Sequence, residues 1–168
     1  MDKLLIVKNL RTYFKTFKGL VKSVDGVEFT LDRGETLGIV GESGGGKSVT
    51  GFSIIKLIEE PGEIVDGQII FEGEDLVNKS EKQMEEIRGK EISMIFQDPM
   101  TALNPILSIK KQIDEALQLH THLGKGERLK TSIELLRSVG IPNPEVRIES
   151  FPHELSGGMR QRVIIAIA

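Results

Sequence analysis

The sequence contains no cysteine and no tryptophan among its 168 residues. The missing cysteines exclude a disulfide framework, thiol catalysis and cysteine-ligated zinc within these residues. Long hydrophobic runs are missing as well, because the longest purely aliphatic run covers only residues 163–168. A membrane span needs about 20 apolar residues and a signal peptide about 7–15. The sequence therefore predicts a soluble, cytoplasmic chain.

An excess of positive charge is also absent. Lysine and arginine number 22 against 25 aspartate and glutamate, which gives a formal net charge of −3 with the signs interspersed. Without a basic stripe, nucleic acid is not expected as a direct partner. The composition is otherwise close to that of a single globular domain, with 39% hydrophobic and 28% charged residues. The unusual feature is glycine, with 18 residues, and the positions of these glycines point to the function.

The first half of the chain has the pattern of strands joined by tight turns. Val27, Phe29 and Leu31 alternate with polar residues, which predicts a half-buried strand over 27–32. Short apolar segments predict further strands over 35–40, 67–73 and 92–96.

Helices are predicted where apolar residues recur at helical spacing. The segment 47–58 has almost no polar face, so we expect a helix buried against a sheet. Ser80 and Gln83 form a capping-box pattern that starts a short helix. From about residue 99 to 155 the chain is mainly helical, which predicts an α/β core with a helical subdomain. Two helices are marked there by their apolar positions, Ile109, Ile113, Ala116 and Leu117, and then Leu129, Ile133 and Leu136.

A phosphate-binding pattern, G-x-x-x-x-G-K-[ST], lies between the predicted strand 35–40 and the predicted helix 47–58. It is matched by Gly41-Glu42-Ser43-Gly44-Gly45-Gly46-Lys47-Ser48. Glycines let successive backbone N–H groups point inward around a phosphate, and the helix N-terminus adds about half a positive charge. We expect Lys47 to reach the β- and γ-phosphates and the Ser48 hydroxyl to ligate Mg²⁺. The alternative, a flexible turn before a helix, leaves the entropy lost in ordering these glycines unrewarded.

A second glycine pair, 157–158, follows Ser156 directly. Ser156 is a good N-cap, but glycine in the first helical turn costs about 1 kcal/mol per residue relative to alanine. A serine hydroxyl and exposed N–H groups at a helix start favour an anion, which predicts a second phosphate site. Taken alone, the segment is more simply an ordinary helix cap. Its presence in one chain with the first loop favours the anion site.

Three segments together resemble the nucleotide-binding domains of ABC transporters. Gly41–Ser48 resembles the Walker A loop, Gln97 the Q-loop glutamine, and Leu155–Gln161 the signature sequence, in the family's order. The longer strings 95–105 and 151–162 are similar to those of dipeptide and oligopeptide importer ATPases, a branch that includes nickel importers. The resemblance implies an α/β P-loop fold of the ABC type, with an N-terminal antiparallel β subdomain and a helical subdomain.

The resemblance also implies ATP and Mg²⁺ as ligands and gives roles to single residues. Phe14 corresponds to the aromatic that stacks on adenine, with Tyr13 as its neighbour; the alternative is that Phe14 only closes a strand edge. Lys47 and Gln97 are implied in catalysis, and Ser48 and Gln97 at the metal. The nucleotide-binding set is Phe14, Gly41, Glu42, Ser43, Gly44, Gly45, Gly46, Lys47, Ser48, Val49, Ser156, Gly157 and Gly158.

The implied organisation has three parts: an ATP-binding core over 1–97, a helical subdomain over 98–155, and a signature helix over 156–168 that returns to the core. The implied partners are a second ATPase subunit, bound head to tail as a homo- or heterodimer, and transmembrane permease subunits. An extracytoplasmic peptide-binding protein takes part indirectly, and no nucleic acid is involved. The implied location is the cytoplasmic face of the cell membrane.

The last predicted helix stops at Ala168 inside an aliphatic run, without a C-cap glycine or a polar tail. The family's metal-holding aspartate and catalytic glutamate follow the signature helix and are not present. We therefore expect a piece of a longer ATPase that binds nucleotide but does not hydrolyse it alone. A nickel importer ATPase, a catalytically incomplete binding module and a non-transport ABC protein are the alternatives; the string after Gln97 argues against the last.

Overall fold

A computed structural model describes residues 3–96 and 102–168 of the chain. The chain divides into two compact units, Met1–Glu85 and Glu86–Ala168, which are called unit 1 and unit 2 below. Unit 1 is built mainly from β-strands, and unit 2 is built from helices. Each unit is described by itself.

Unit 1 contains a four-stranded antiparallel sheet. Its strands are β1 (Lys3–Thr16), β2 (Gly19–Asp32), β3 (Gly62–Phe71) and β4 (Glu74–Asp75), in the order β2-β1-β3-β4. The alternation of apolar and polar residues sets its two faces: Leu5 and Val7 are buried, whereas Lys8 is exposed. The predicted strand over 27–32 forms the end of β2, and the predicted strand over 67–73 overlaps β3, which begins already at Gly62 and ends at Phe71.

Helix α1 spans Lys47–Ile54 and ends before the predicted residue 58. Its two buried residues are the polar Thr50 and Ser53, whereas Phe52 and Ile54 are only half-buried. The predicted burial of this helix against a sheet is confirmed, since Ser53 contacts Thr12 of β1, but polar rather than apolar side chains of the helix are the most buried. Small hydroxyl side chains fill the most buried positions because each of them forms a hydrogen bond inside the protein.

Two predicted strands are not strands in the part of the chain that the structure describes. The segment 35–40 pairs with none of the described strands, and its Val40 is 93% exposed. In the segment 92–96 the only pairing is an isolated bridge between Arg88 and Ile92. An apolar composition alone does not make a segment a strand, because a strand also needs a neighbouring backbone to accept and donate its hydrogen bonds.

Helix α2 spans Glu81–Ile87 and starts as the capping-box pattern predicts. The Ser80 backbone N–H donates to Gln83 Oε1 at 2.9 Å, and the Ser80 hydroxyl lies 3.1 Å from the same atom. Met84, one residue later, is completely buried. The predicted start of this helix is confirmed.

Unit 2 contains the two helices predicted from spacing and three further helical elements. Ile109, Ile113 and Leu136 are buried in its core, together with Val163. Leu129 is the exception, because this predicted apolar position lies at the surface. No helix within residues 3–96 and 102–168 is long and apolar enough to cross a membrane. The elements are α3 (Ile109–His120), α4 (Lys125–Ser138), α5 (Pro144–Arg147), a 3-10 turn (Pro152–Glu154) and α6 (Gly157–Ile167).

Candidate functional site

The glycine-rich loop of unit 1 leads directly into α1. Gly44 and Gly46 both adopt a φ of 79°, in the left-handed region that favours glycine. Gly46 is the N-cap of α1, and none of the described side chains caps the start of this helix. The first N–H groups of α1 have no intrahelical acceptors, so together with the helix dipole they attract an anion.

Gly46 packs onto the sheet at a β-bulge. Thr12 pairs with Val24 and Tyr13 with Lys22, so Ser23 is the extra residue of β2. A Cβ atom on Gly46 would lie 2.1 Å from the carbonyl oxygen of Ser23. Only glycine fits at this position, and the close approach fixes the loop against β2.

The Lys47 side chain folds back onto the first residues of the loop. Its Nζ donates to the carbonyl oxygens of Gly41 at 2.8 Å and Glu42 at 2.7 Å. An ammonium group has three hydrogens, so one remains for a ligand beside the loop. The predicted loop residues thus form one continuous segment that leads into α1. They are Gly41, Glu42, Ser43, Gly44, Gly45, Gly46, Lys47, Ser48 and Val49.

The groups at this loop fit a phosphate and a hard cation. The donors are backbone N–H groups and one ammonium, which suit phosphate oxygens. Ser48 is exposed at the second position of α1, where its hydroxyl can ligate a cation. Residues 3–96 and 102–168 contain no group of three or more His, Cys, Asp or Glu side chains able to hold a metal. A cation here would therefore rely on the Ser48 hydroxyl and on the ligand's own oxygens.

Phe14 lies on β1 between Val21 of β2 and Gly62 of β3. A Cβ atom on Gly62 would lie 2.5 Å from Cε1 of Phe14, so the missing side chain makes room for the ring. Phe14 is half-buried and Val21 is 50% exposed, and residues directly opposite in a sheet share one face. The two form an apolar surface two residues along β2 from Ser23, which is about 7 Å from the loop contact.

Val21 was missed by the sequence reasoning. The available signal was its place in a hairpin, opposite the predicted aromatic. Tyr13, the predicted alternative to Phe14, has a different partner: its hydroxyl donates to Asp25 Oδ1 at 2.6 Å. That hydrogen bond raises the pKa of Tyr13 and lowers the pKa of Asp25.

The second glycine segment begins α6 in unit 2. Ser156 is the N-cap, and its hydroxyl oxygen accepts the N–H of Met159 at 3.4 Å. Gly157 and Gly158 are exposed, and a Cβ atom on either would meet nothing within 4 Å among the described residues. Nothing that the structure describes requires glycine at these two positions.

Arg162 connects α6 to the end of α4 by hydrogen bonds. It is a second residue that was not predicted from the sequence. Its Nη1 donates to the carbonyl oxygens of Val139 at 3.3 Å and Gly140 at 2.8 Å. A cation at the C-terminal end of a helix is favourable because the last carbonyls carry partial negative charge. Gln97 lies outside the described residues, so its predicted role stays a prediction.

Known proteins resemble this chain over its whole length. The oligopeptide transport ATP-binding protein OppD of Bacillus subtilis (strain 168) is 58% identical, covering 100% of this chain and 47% of that protein. The dipeptide transport ATP-binding protein DppD of the same organism is 50% identical, covering 100% and 50%. The chain spans about half the length of the curated relatives it matches.

Solved structures share the fold. A dimeric structure of the ATP-binding cassette MJ0796 in a post-hydrolysis state, bound to ADP and Pi, has a TM-score of 0.85 at 24% identity, covering 97% of this chain and 68% of that one. The ATP-binding subunit of an ABC transporter has a TM-score of 0.67 at 28% identity, covering 98% and 61%. These likenesses confirm the predicted α/β P-loop fold of the ABC type. The family model described as ABC transporter matches residues 24–168, and this chain therefore belongs to the ABC transporter family.

Proposed function

We propose that this chain is the ATP-binding part of an importer of dipeptides or oligopeptides, whose full-length subunit hydrolyses ATP to drive uptake. The names of the relatives support the substrate class, since they are oligopeptide and dipeptide transport ATP-binding proteins. One observation carries the nucleotide part of the proposal. The uncapped start of α1 and the Lys47 ammonium lie together at a loop whose Gly46 is fixed on the sheet.

The proposed phosphate site is the loop Gly41–Ser48 with the first N–H groups of α1, including that of Val49. Lys47 uses its remaining hydrogen on a β- or γ-phosphate oxygen, and the Ser48 hydroxyl ligates Mg²⁺. The Ser48 hydroxyl would hold Mg²⁺, which would supply positive charge against the negative charge that develops on the phosphate during transfer. Gln97 is proposed to approach the metal and the attacking water.

The proposed base site is the apolar surface formed by Phe14 and Val21. Its distance of about 7 Å along β2 from the Gly46 contact at Ser23 leaves room for the ribose between the base and the phosphates. Stacking of a base on an aromatic side chain contributes about 1–3 kcal/mol and accepts any purine. The half-exposed Val21 adds apolar contact on the same face as the ring.

The proposed third contact comes from a second ATPase subunit. Ser156 and the N–H groups of Gly157 and Gly158 face the γ-phosphate held by the loop Gly41–Ser48 of the other subunit, in a head-to-tail dimer. This arrangement gives a reason for two glycines that the described residues do not require. The solved relative MJ0796 is a dimer, which supports the arrangement.

The remaining partners and the organisation are proposed with the same function. Transmembrane permease subunits hold the ATPase at the cytoplasmic face of the membrane, and an extracytoplasmic binding protein delivers the peptide. Residues 1–97 act as the ATP-binding core, 98–155 as the helical subdomain and 156–168 as the signature helix.

Replacement of Lys47 tests the nucleotide site. Lys47→Ala removes a charge-assisted contact worth about 1.5–3 kcal/mol, so the affinity for Mg-ATP in the full-length protein should fall about tenfold or more. Calorimetry measures the affinity, and the ligand-free melting temperature should change little because both Lys47 bonds are exposed. Lys110→Ala is the control, because Lys110 is a half-exposed lysine of α3 that pairs with Glu149. Equal affinities for the Lys47 variant and the wild type would contradict the proposed site.

A further inference from the structure

A buried pair of hydroxyl groups joins β1 to α1. Thr12 Oγ1 and Ser53 Oγ are 2.7 Å apart, and both residues are completely buried. Ser53 also donates its hydroxyl to the carbonyl oxygen of Val49 at 2.7 Å. A serine hydroxyl has one hydrogen, so Thr12 is the donor in the pair. The result is a directed chain of hydrogen bonds from Thr12 through Ser53 to Val49.

The two ends of this chain lie next to the two halves of the proposed nucleotide site. Thr12 precedes Phe14 by two positions on β1, about 7 Å away and on the same face of the strand. Val49 lies in the first turn of α1, directly after the loop Gly41–Ser48. Thr50 extends the connection, because its Oγ1 donates to the Gly46 carbonyl oxygen at 2.9 Å.

We propose that Thr12 and Ser53 are positioning residues that fix the spacing between the base surface, Phe14 with Val21, and the phosphate loop. The inference rests on the proposed nucleotide function. ATP contacts both surfaces at once, so a fixed spacing removes the cost of aligning the second surface after the first has bound. Both hydroxyls are completely buried and act through Phe14 and α1 rather than by touching the ligand.

If the hydrogen bond between Thr12 and Ser53 only stabilises the fold, its loss should affect the binding of every ligand alike. A ligand that contacts only one of the two surfaces therefore distinguishes a positioning role from a purely structural one. Tripolyphosphate contacts only the phosphate loop, so the spacing to Phe14 does not matter for its binding. If Thr12 and Ser53 are positioning residues, their replacement should lower the affinity for ATP and leave the affinity for tripolyphosphate unchanged. If the replacement instead loosens α1 in general, the affinities for both ligands should fall.

The experiment uses the full-length protein with Mg²⁺, with calorimetry for ATP and displacement of a fluorescent ATP analogue for tripolyphosphate. Thr12→Val keeps the shape and removes the hydroxyl; ATP affinity should fall about fivefold, the usual effect of one hydrogen bond. The affinity for tripolyphosphate should change by less than about twofold relative to the wild type, which is clearly smaller than the expected loss for ATP. Thr12→Ser keeps the hydroxyl and should restore ATP affinity. Ser53→Ala should match Thr12→Val, and the double variant should lose no more than either, because both break one interaction.

Ser132 provides the matched control. It is a buried helix serine of unit 2 whose Oγ donates to the Arg128 carbonyl oxygen at 2.7 Å, as Ser53 does to Val49. Ser132→Ala should change neither affinity. A parallel loss of ATP and tripolyphosphate, an unchanged ATP affinity in Thr12→Val and Ser53→Ala, or a failed rescue by Thr12→Ser would each overturn the positioning role. Wild-type protein that fails to bind ATP, or a Lys47→Ala variant that binds normally, would instead overturn the proposed function and the inference with it.

Discussion

Helices α1 and α6 both begin at glycines, but the two starts differ in why glycine is there. At α1, the left-handed Gly46 lies so close to β2 that a Cβ atom would be 2.1 Å from the Ser23 carbonyl oxygen. At α6, Ser156 caps the helix, and Gly157 and Gly158 have open space around them. The first glycine is required by the chain's own packing. The second pair is not required by any described neighbour.

This difference separates a structural requirement from a functional one. Two glycines in the first turn of α6 cost stability, because glycine is about 1 kcal/mol less favourable than alanine in a helix. Two consecutive glycines that directly follow a serine N-cap favour a functional role, whereas the single Gly126 in the first turn of α4 has no N-cap hydroxyl beside it. The comparison therefore supports an external ligand at α6, as proposed for the second subunit's phosphate.

The largest effect is expected from Gly46→Ala. The clash with Ser23 and the φ of 79° together should destabilise the full-length protein by more than about 3 kcal/mol, measured by denaturant unfolding. Gly44→Ala is the matched control, because Gly44 has the same φ but nothing within 4 Å. It should lose only about 1–2 kcal/mol, the cost of the left-handed conformation. Similar losses in the two variants would show that the bulge contact does not fix the loop.

The next effect concerns activity. Gly158→Asp places a carboxylate where the second subunit's phosphate is proposed to bind, so ATP hydrolysis in the full-length protein should be abolished. ATP binding should stay near normal, since the loop Gly41–Ser48 is unchanged. Mixed dimers of mutant and wild-type subunits should keep one intact interface. The measurements are steady-state hydrolysis and calorimetry.

Gly126 gives this test its control. It lies in the first turn of α4, also with nothing within 4 Å of a Cβ atom. Gly126→Asp should change neither binding nor hydrolysis. If both variants abolished hydrolysis, the cause would be an added negative charge on unit 2 in general, and not its position at the start of α6.

A smaller effect is expected for stability at the same two positions. Gly158→Ala and Gly126→Ala should each raise the free energy of unfolding by about 0.5–1 kcal/mol, because alanine is the better helix former. Only Gly158→Ala should also lower hydrolysis. A destabilised Gly158→Ala variant would mean that the chain itself needs glycine there.

The smallest effect is a pH dependence of stability in unit 2. The guanidinium of Arg128, 2.6 Å from Asp114, lowers the pKa of that carboxyl. Because the folded-state pKa lies below the unfolded one, the stabilisation is present above about pH 4 and is lost as the pH falls through the lowered pKa. Asp114→Asn should remove this part of the acid dependence in denaturant titrations. Asp25→Asn in unit 1 should remove less, because the Asp25 side chain is 45% exposed.

Elements defined by local spacing were predicted well from the sequence. The capping box of Ser80 and Gln83 and the spacing of Ile109 and Ile113 each specify a helix within a few residues, and both helices are present. The segment 35–40 was predicted wrongly as a strand, since its apolar residues say nothing about which backbone lies beside them. The buried polar contacts of Thr50 and Ser53 in α1 were not predicted either, since the sequence pattern indicated a helix with almost no polar face.

The sequence by itself determined the family, the glycine-lysine loop and the serine-capped start of α6, because each depends on residues close together in the chain. Only the tertiary structure decided that Ser23 bulges beneath Gly46, that Val21 lies opposite Phe14, and that Thr12 donates to Ser53. The last two residues are 41 positions apart, and a hydrogen bond over that separation exists only after the sheet has formed and α1 has packed on it. Sequence spacing fixes which groups are near one another along a helix or turn, whereas chain folding fixes which distant backbones and hydroxyls meet.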